Sequence, residues 1–126
     1  MKIQPVTTET IQLSTLPDIS QFTLDSTNCS WLLREFIGSA VLRCWAPWCM
    51  SCRTLEQELS MLLREYPGAF QLVELNVDRN YGVARDLGVK YLPELIILHD
   101  GQEVHRIIGE VAHLKEELQQ YIPSIG

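Results

Sequence analysis

Residues 41–53 read V-L-R-C-W-A-P-W-C-M-S-C-R and hold three structural signals in a short space. An apolar run stops at Ala46-Pro47, where the chain is expected to turn. From Met50 onward, leucines recur at helical spacing. The stretch therefore predicts a buried strand, a turn, and a helix whose first turn carries Cys49 and Cys52.

The place of these two cysteines indicates thiol chemistry. Backbone N–H groups in the first turn of a helix have no partner within the helix, and the helix dipole is positive there. A thiolate in that position is stabilised, so the thiol becomes a nucleophile near neutral pH. Cys49, the N-terminal member, is expected to attack a disulfide, and Cys52, deeper on the helix, is expected to resolve the mixed disulfide.

The composition is that of one globular domain, and it disfavours several partners. The chain has 126 residues, of which 46% are hydrophobic and 21% are charged. The net charge is -6 and the ten lysines and arginines are scattered, so neither nucleic acid nor an anionic membrane is expected as a partner. No apolar run approaches the roughly 20 residues of a membrane-spanning helix.

The cysteine content and the N-terminus point to a reducing compartment. The first ten residues, M-K-I-Q-P-V-T-T-E-T, lack the apolar segment of a signal peptide. Four cysteines are too few for a scaffold held by disulfides. We therefore expect a cytoplasmic protein in which the dithiol is catalytic rather than structural.

The hydrophobic periodicity predicts an α/β domain over residues 19–126 after an irregular extension over residues 1–18. The strand at 40–45 is apolar on both faces except at Arg43, as in parallel sheets with helices above and below. Strands are predicted at 19–24, 40–45, 70–77, 95–99 and 103–108, and helices at 28–37, 50–66, 81–87 and 111–122.

The motif Trp48-Cys49-Met50-Ser51-Cys52, preceded by Trp45-Ala46, resembles the W-C-x-x-C mark of the thioredoxin family, as does the element order β-α-β-α-β-α-β-β-α. The resemblance runs from about Ile19 to the C-terminus. It implies a three-layer α/β/α sandwich with a mixed central sheet. It also implies thiol–disulfide exchange with protein substrates, no bound cofactor, and recharging by a thioredoxin reductase or another dithiol donor.

The resemblance assigns three further residues to the substrate site, and a fourth, Trp48, is expected there because it is an aromatic surface near the dithiol. Pro93 matches the family's cis proline, which packs against the disulfide, and Leu92 would offer its backbone to an extended substrate. Gly109 would leave room for the substrate chain, and Trp48 would belong to a docking patch. From the residues alone, Pro93 also suits a trans proline that begins a strand, and Gly109 also suits a plain turn.

Arg43 departs most from the family pattern. The family usually has Asp at this position and Lys on the neighbouring strand, where this chain has Glu74. The two charges look exchanged, which would keep a buried pair neutral. Arginine cannot act as a base, but its charge would lower the pKa of the Cys49 thiol, so we expect a more oxidising couple. The alternative is that Arg43 extends to solvent at the strand end.

Other positions give smaller expectations. Met50-Ser51 replaces the family's Gly-Pro spacer, so the family's potential cannot be assumed. Glu94 replaces the Thr that usually follows the proline, and we expect it beside the substrate groove, where it would repel acidic partners. Cys44 and Cys29 are interpreted as core residues.

Three other functions remain open at this stage. The domain could be a redox-sensing or regulatory interaction module with little turnover, since the family's proton-relay Asp is missing. It could also be an oxidase or an isomerase, which only the reduction potential would distinguish. A zinc site on the C-x-x-C pair is disfavoured because the three histidines, His99, His105 and His113, lack ligand spacing to it.

Overall fold

The computed structural model describes residues 21–23, 25 and 29–126. Five strands and four helices lie in this part of the chain. In chain order they are β1 (Gln21–Thr23), α1 (Cys29–Arg34), β2 (Ser39–Trp45), α2 (Met50–Glu65), β3 (Gln71–Asn76), α3 (Tyr81–Asp86), β4 (Glu94–His99), β5 (Gln102–Ile108) and α4 (Leu114–Gln119). The predicted extension over residues 1–18 lies outside the described residues.

The strands form one mixed sheet in the order β1-β3-β2-β4-β5. β1 and β2 both run parallel to β3, and β4 runs antiparallel to β2. β5 returns antiparallel to β4 through a turn at Asp100-Gly101, where both residues have positive φ. The central position of β2 explains its nearly uninterrupted apolar sequence, since helices cover it on both faces.

Alternate side chains of the central strands enter two separate cores. On one face, Val41 and Leu72 pack with the leucines of α2 and α4, such as Leu59 and Leu118. On the other face, Leu42 packs in a second cluster with neighbouring strands and with the partly buried residues of α1 and α3. This two-residue alternation is the pattern of a sheet between two helical layers. The predicted three-layer α/β/α sandwich is therefore confirmed.

Two helices are several residues shorter than predicted, whereas α2 and α3 each end one residue early. The last helix covers Leu114–Gln119 rather than 111–122. Val111 packs against the core from a non-helical segment, so its apolar contact was misread as helical periodicity. The first helix ends at Arg34, and Ile37, predicted on its apolar side, is exposed. Residue 28, the predicted start of that helix, lies outside the described residues.

Candidate active site

The dithiol sits where β2 leaves the sheet and α2 begins. The chain turns after Trp45, and the Cys49 amide donates to the Ala46 carbonyl oxygen at 3.0 Å. Cys49 is the N-cap of α2, with an extended backbone. Its sulfur accepts a hydrogen bond from the Cys52 amide at 3.2 Å. A helix N-terminus thus provides the donor that a thiolate on Cys49 would use.

Cys49 and Cys52 are joined by a disulfide. Cys49 is 7% exposed and Cys52 is fully buried, so an incoming sulfur reaches the bond from the Cys49 side. The residues on either side of Cys49, Trp48 and Met50, are 67% and 71% exposed. The disulfide is therefore nearly flush with an apolar surface patch.

The Trp48 ring forms one wall of an open groove of about 630 Å³. Its indole N–H donates to the Asp78 carboxylate at 3.1 Å, which fixes the ring at the entrance. Leu92 lines the same groove from the loop that precedes β4. The groove is lined chiefly by Trp48, Val77, Asp78, Tyr81, Lys90 and Leu92.

The loop before β4 brings Pro93 to the same end of the sheet. The Leu92–Pro93 peptide bond is cis, and the Pro93 carbonyl oxygen accepts from the Gly109 amide at 2.8 Å. Pro93 shares a small cavity of about 130 Å³ with Ser51, the second spacer residue of the C-x-x-C motif. Gly109 has φ of +85°, and a Cβ built there would meet nothing within 4 Å. The space beside Pro93 is therefore open.

Arg43 and Glu74 form a bidentate ion pair between opposed positions of β2 and β3. Arg43 Nε and Nη2 donate to the two carboxylate oxygens at 3.0 and 2.8 Å. Arg43 is 2% exposed, so the alternative in which it extends to solvent is wrong. Its guanidinium also lies 5.2 Å from the centre of the Trp45 ring.

The third contact of Arg43 joins it to the dithiol helix. Its Nη1 donates to the Cys52 carbonyl oxygen at 3.0 Å. The positive charge therefore approaches Cys52, the buried member of the pair, through that residue's backbone. Any influence on Cys49 acts at longer range and is reduced by the Glu74 carboxylate.

The expectation that Glu94 lies beside the groove is wrong. Glu94 is 1% exposed, and its Oε2 accepts from Arg106 Nη1 at 2.7 Å. Glu94 shares the face of β4 that carries Ile96, whose partner on β5 is Arg106. A buried carboxylate needs such a counter-charge. Arg106 could not be assigned from the sequence, because its side of the sheet depends on the hairpin register.

The two cysteines outside the motif are free thiols. Cys44 is fully buried, which confirms its predicted place in the core. Burial, helped by the Glu94 charge, raises the pKa of Cys44 to about 12. Cys29 is partly buried against the second core, and burial followed by the Asp86 charge raises its pKa as well. Both thiols are therefore poor nucleophiles.

The histidines do not converge on the dithiol in the described part of the chain. His105 Nε2 lies 2.7 Å from the Glu117 carboxylate, and its ring stacks on Tyr121. His99 lies 3.6 Å from Asp100 at the far end of the sheet. Residues 21–23, 25 and 29–126 contain no group of three or more metal-binding side chains placed to hold an ion.

The fold and the site together define a thioredoxin-fold protein with a disulfide at the start of a helix. The family model described as Thioredoxin matches residues 5–124, and the chain therefore belongs to the thioredoxin family. A thioredoxin of Porphyra purpurea is 34% identical over 80 residues, which cover 62% of this chain and 75% of that protein. A thioredoxin of Haemophilus influenzae is 33% identical over 78 residues, which cover 62% and 71%.

A third relative, the chloroplastic M-type thioredoxin of Pisum sativum, is 32% identical over 80 residues, 62% of this chain and 46% of that protein. Because the chain belongs to the thioredoxin family and its two motif cysteines form a disulfide, it is a thiol–disulfide oxidoreductase. In the part of the chain that the structure describes, no helix has the length and apolar character needed to cross a membrane.

Proposed function

We propose that the Cys49–Cys52 pair undergoes thiol–disulfide exchange with disulfides in protein substrates. We also propose that the pair's reduction potential is higher, and therefore more oxidising, than is usual in its family. The observation that supports the proposal is the N-cap geometry of Cys49. Its sulfur accepts a hydrogen bond from the Cys52 amide, and Cys49 is the one member of the pair that is exposed to solvent. A thiolate formed there is stabilised by that donor and by the helix terminus.

The exchange proceeds in two balanced steps. The Cys49 thiolate attacks one substrate sulfur, the substrate disulfide breaks, and the other substrate sulfur leaves as a thiolate that takes up a proton. Cys52 then loses its proton and attacks the Cys49 sulfur, which releases the second substrate thiolate. The substrate gains two electrons and the protein ends in the disulfide form. A dithiol donor, such as a thioredoxin reductase, returns it to the reduced form.

The substrate chain would lie across the loop before β4. Leu92, which lines the groove beside Trp48, would offer backbone groups to an extended peptide. Pro93, which shares a cavity with Ser51, would lie beside the disulfide. The open space at Gly109 admits the peptide beside Pro93, and Trp48 covers one side of it. Main-chain contacts of this kind bind many sequences, which suits a protein that acts on several substrates.

The shifted potential rests on Arg43 and Glu74. A cation near the sulfurs stabilises the thiolate, and therefore the reduced form, which raises the reduction potential. Arg43 supplies that cation through its bond to the Cys52 carbonyl, and Glu74 offsets most of it. The proposal places the protein in the cytoplasm or another reducing compartment, which the two free thiols support.

Insulin reduction by dithiothreitol tests the activity. The wild type is expected to accelerate precipitation of the insulin B chain, Cys49→Ser should abolish the acceleration, and Cys29→Ser should leave it intact. Cys29→Ser is the matched control because it removes a thiol that lies outside the motif. Acceleration that survives Cys49→Ser would contradict the proposal.

The second candidate is a redox-sensing or regulatory module with little turnover. It is favoured by Arg43, since an arginine in the place of the family's Asp cannot relay a proton to Cys52. A wild type that does not accelerate insulin reduction, yet changes partner binding on oxidation, would support this module. Equilibration with glutathione would separate a reductase from an oxidase or isomerase through the measured potential.

A further inference from the structure

Arg106 on β5 places all of its N–H groups on named acceptors. Nε and Nη2 donate to the two carboxylate oxygens of Glu103 at 2.8 and 2.7 Å. Nη2 also donates to the Leu87 carbonyl at 2.8 Å, and Nη1 reaches the Gly88 carbonyl at 3.4 Å and Glu94 Oε2 at 2.7 Å. These five hydrogen bonds use all five N–H groups of the guanidinium, so the orientation of the side chain is fixed.

Glu103 lies on β5 beside Arg106, but the other three acceptors lie at the two ends of the loop that precedes β4. Leu87 and Gly88 directly follow α3, and Glu94 is the first residue of β4, directly after Pro93. One guanidinium therefore holds the start and the end of residues 88–93. The second oxygen of Glu94 accepts the Lys90 amide at 3.3 Å, which fixes the middle of the loop as well.

The loop held in this way carries substrate-facing backbone. Leu92 lines the groove beside Trp48, and Pro93 lines the cavity beside Ser51. Neither Glu94 nor Arg106 lines either cavity, and Glu94 is buried. We therefore expect the pair to affect a substrate through the conformation of the loop.

We infer that Arg106, acting through Glu94, is a positioning residue that holds residues 88–93 in the shape that binds an extended substrate chain. The inference rests on the proposed function and deepens it. A loop that samples other conformations binds a peptide chain less tightly, because the ordering cost is then paid on binding. The attack of Cys49 on a disulfide without a peptide chain does not use the loop.

The test compares a protein substrate with a small disulfide. The double variant Glu94→Gln/Arg106→Gln removes both charges together and so leaves no unpaired buried charge. Arg106→Lys keeps the charge but lacks the planar fork that reaches both ends of the loop. Arg64→Gln, an exposed arginine in the last turn of α2, is the matched control.

For insulin, kcat/KM is expected to fall about tenfold in the double variant, through KM rather than kcat. The rate at which hydroxyethyl disulfide oxidises the reduced protein is expected to stay within about twofold, since that reagent has no chain for the loop to bind. Hydrogen exchange at the Lys90 amide should accelerate, while amides of β2 keep their protection. Arg106→Lys should shift in the same direction, and Arg64→Gln should match the wild type.

Equal losses with both disulfides, or an unchanged KM for insulin, would overturn the inference while the proposed function stands. If the double variant does not fold, Arg106→Lys decides the question by the same KM and exchange measurements. A wild type no faster than Cys49→Ser would overturn the proposed function and the inference with it, and that result is seen before any loop variant is compared.

Discussion

Glu74→Gln should raise the reduction potential of the Cys49–Cys52 pair. The substitution keeps the shape of the side chain and one acceptor oxygen, but removes the charge that neutralises Arg43. Arg43 is 2% exposed, so solvent cannot replace that charge. Its guanidinium is then free to stabilise the thiolate that forms on reduction.

The magnitude follows from the bond between Arg43 Nη1 and the Cys52 carbonyl oxygen, 3.0 Å long. With standard bond lengths, the hydrogen bonds from Arg43 to the Cys52 carbonyl and from the Cys52 amide to the Cys49 sulfur place the guanidinium within about 9 Å of that sulfur, and the paired Glu74 carboxylate within about 12 Å. At an effective dielectric constant of about 20, the repulsion between Glu74 and a thiolate is about 1.4 kcal/mol. Because only the thiolate, and not the neutral thiol, feels this repulsion, we expect a shift on the order of 1 kcal/mol, which equals about 20 mV.

The assay equilibrates wild type and variant with glutathione buffers and counts free thiols by alkylation and mass spectrometry. Glu65→Gln, which removes one negative charge at the exposed far end of α2, should leave the potential unchanged and controls for net charge. Loss of the carboxylate should also cost about 2 kcal/mol of folding free energy, so denaturation curves must show that the variant is folded. An unchanged or lower potential in folded Glu74→Gln would refute the electrostatic reasoning.

Three further predictions concern other parts of the structure. With a pKa of about 12, Cys44 should be a thiolate in about one molecule in ten thousand at pH 8, so iodoacetamide should modify Cys49 in the reduced folded protein and Cys44 only after denaturation. Hydrogen bonds from Arg106 hold the pKa of Glu103 below its usual value, so its stabilisation is present above about pH 4.3 and is lost as the pH falls through the lowered pKa. Urea titrations should therefore show that Glu103→Gln loses less stability than wild type between neutral and acid pH. Gly109→Ala should cost about 1 kcal/mol in thermal unfolding from its φ of +85° alone, because its Cβ meets no neighbour, and a larger loss would mean a clash.

The Arg43–Glu74 pair could be anticipated because of the family resemblance. The family usually carries Asp and Lys at these two positions of neighbouring strands, so Arg and Glu there are expected to face each other. The observed register places Arg43 directly opposite Glu74. Two opposite charges at facing positions of buried parallel strands have few partners other than each other.

The Glu94–Arg106 pair could not be anticipated, because it depends on a bulge. Near the turn, His99 pairs with Gln102, but the register shifts by one residue between Leu98 and Ile97. Without the shift, Arg106 would lie opposite Leu95, on the other face of the sheet. The sequence around Val104 offers no glycine or proline to indicate where such a bulge falls.

The Arg43–Glu74 and Glu94–Arg106 ion pairs lie on opposite faces of the sheet and support different parts of the site. Arg43 and Glu74 share the sheet face that carries Leu72, and Arg43 contacts the dithiol helix through the Cys52 carbonyl oxygen. Glu94 lies on the opposite face, with Ile96, and its arginine holds the substrate loop.

Arginine stays charged up to a pH of about 12, so neither ion pair is lost as the pH rises through the neutral range. Compared with the family pattern, the site lacks the Asp that would exchange a proton with Cys52, because Arg43 occupies that position. On the proposed mechanism, the proton that leaves Cys52 in the second step would pass to water or to the substrate thiolate that it displaces. We therefore expect resolution of the mixed disulfide, rather than the first attack, to be the step most sensitive to how much water reaches the site.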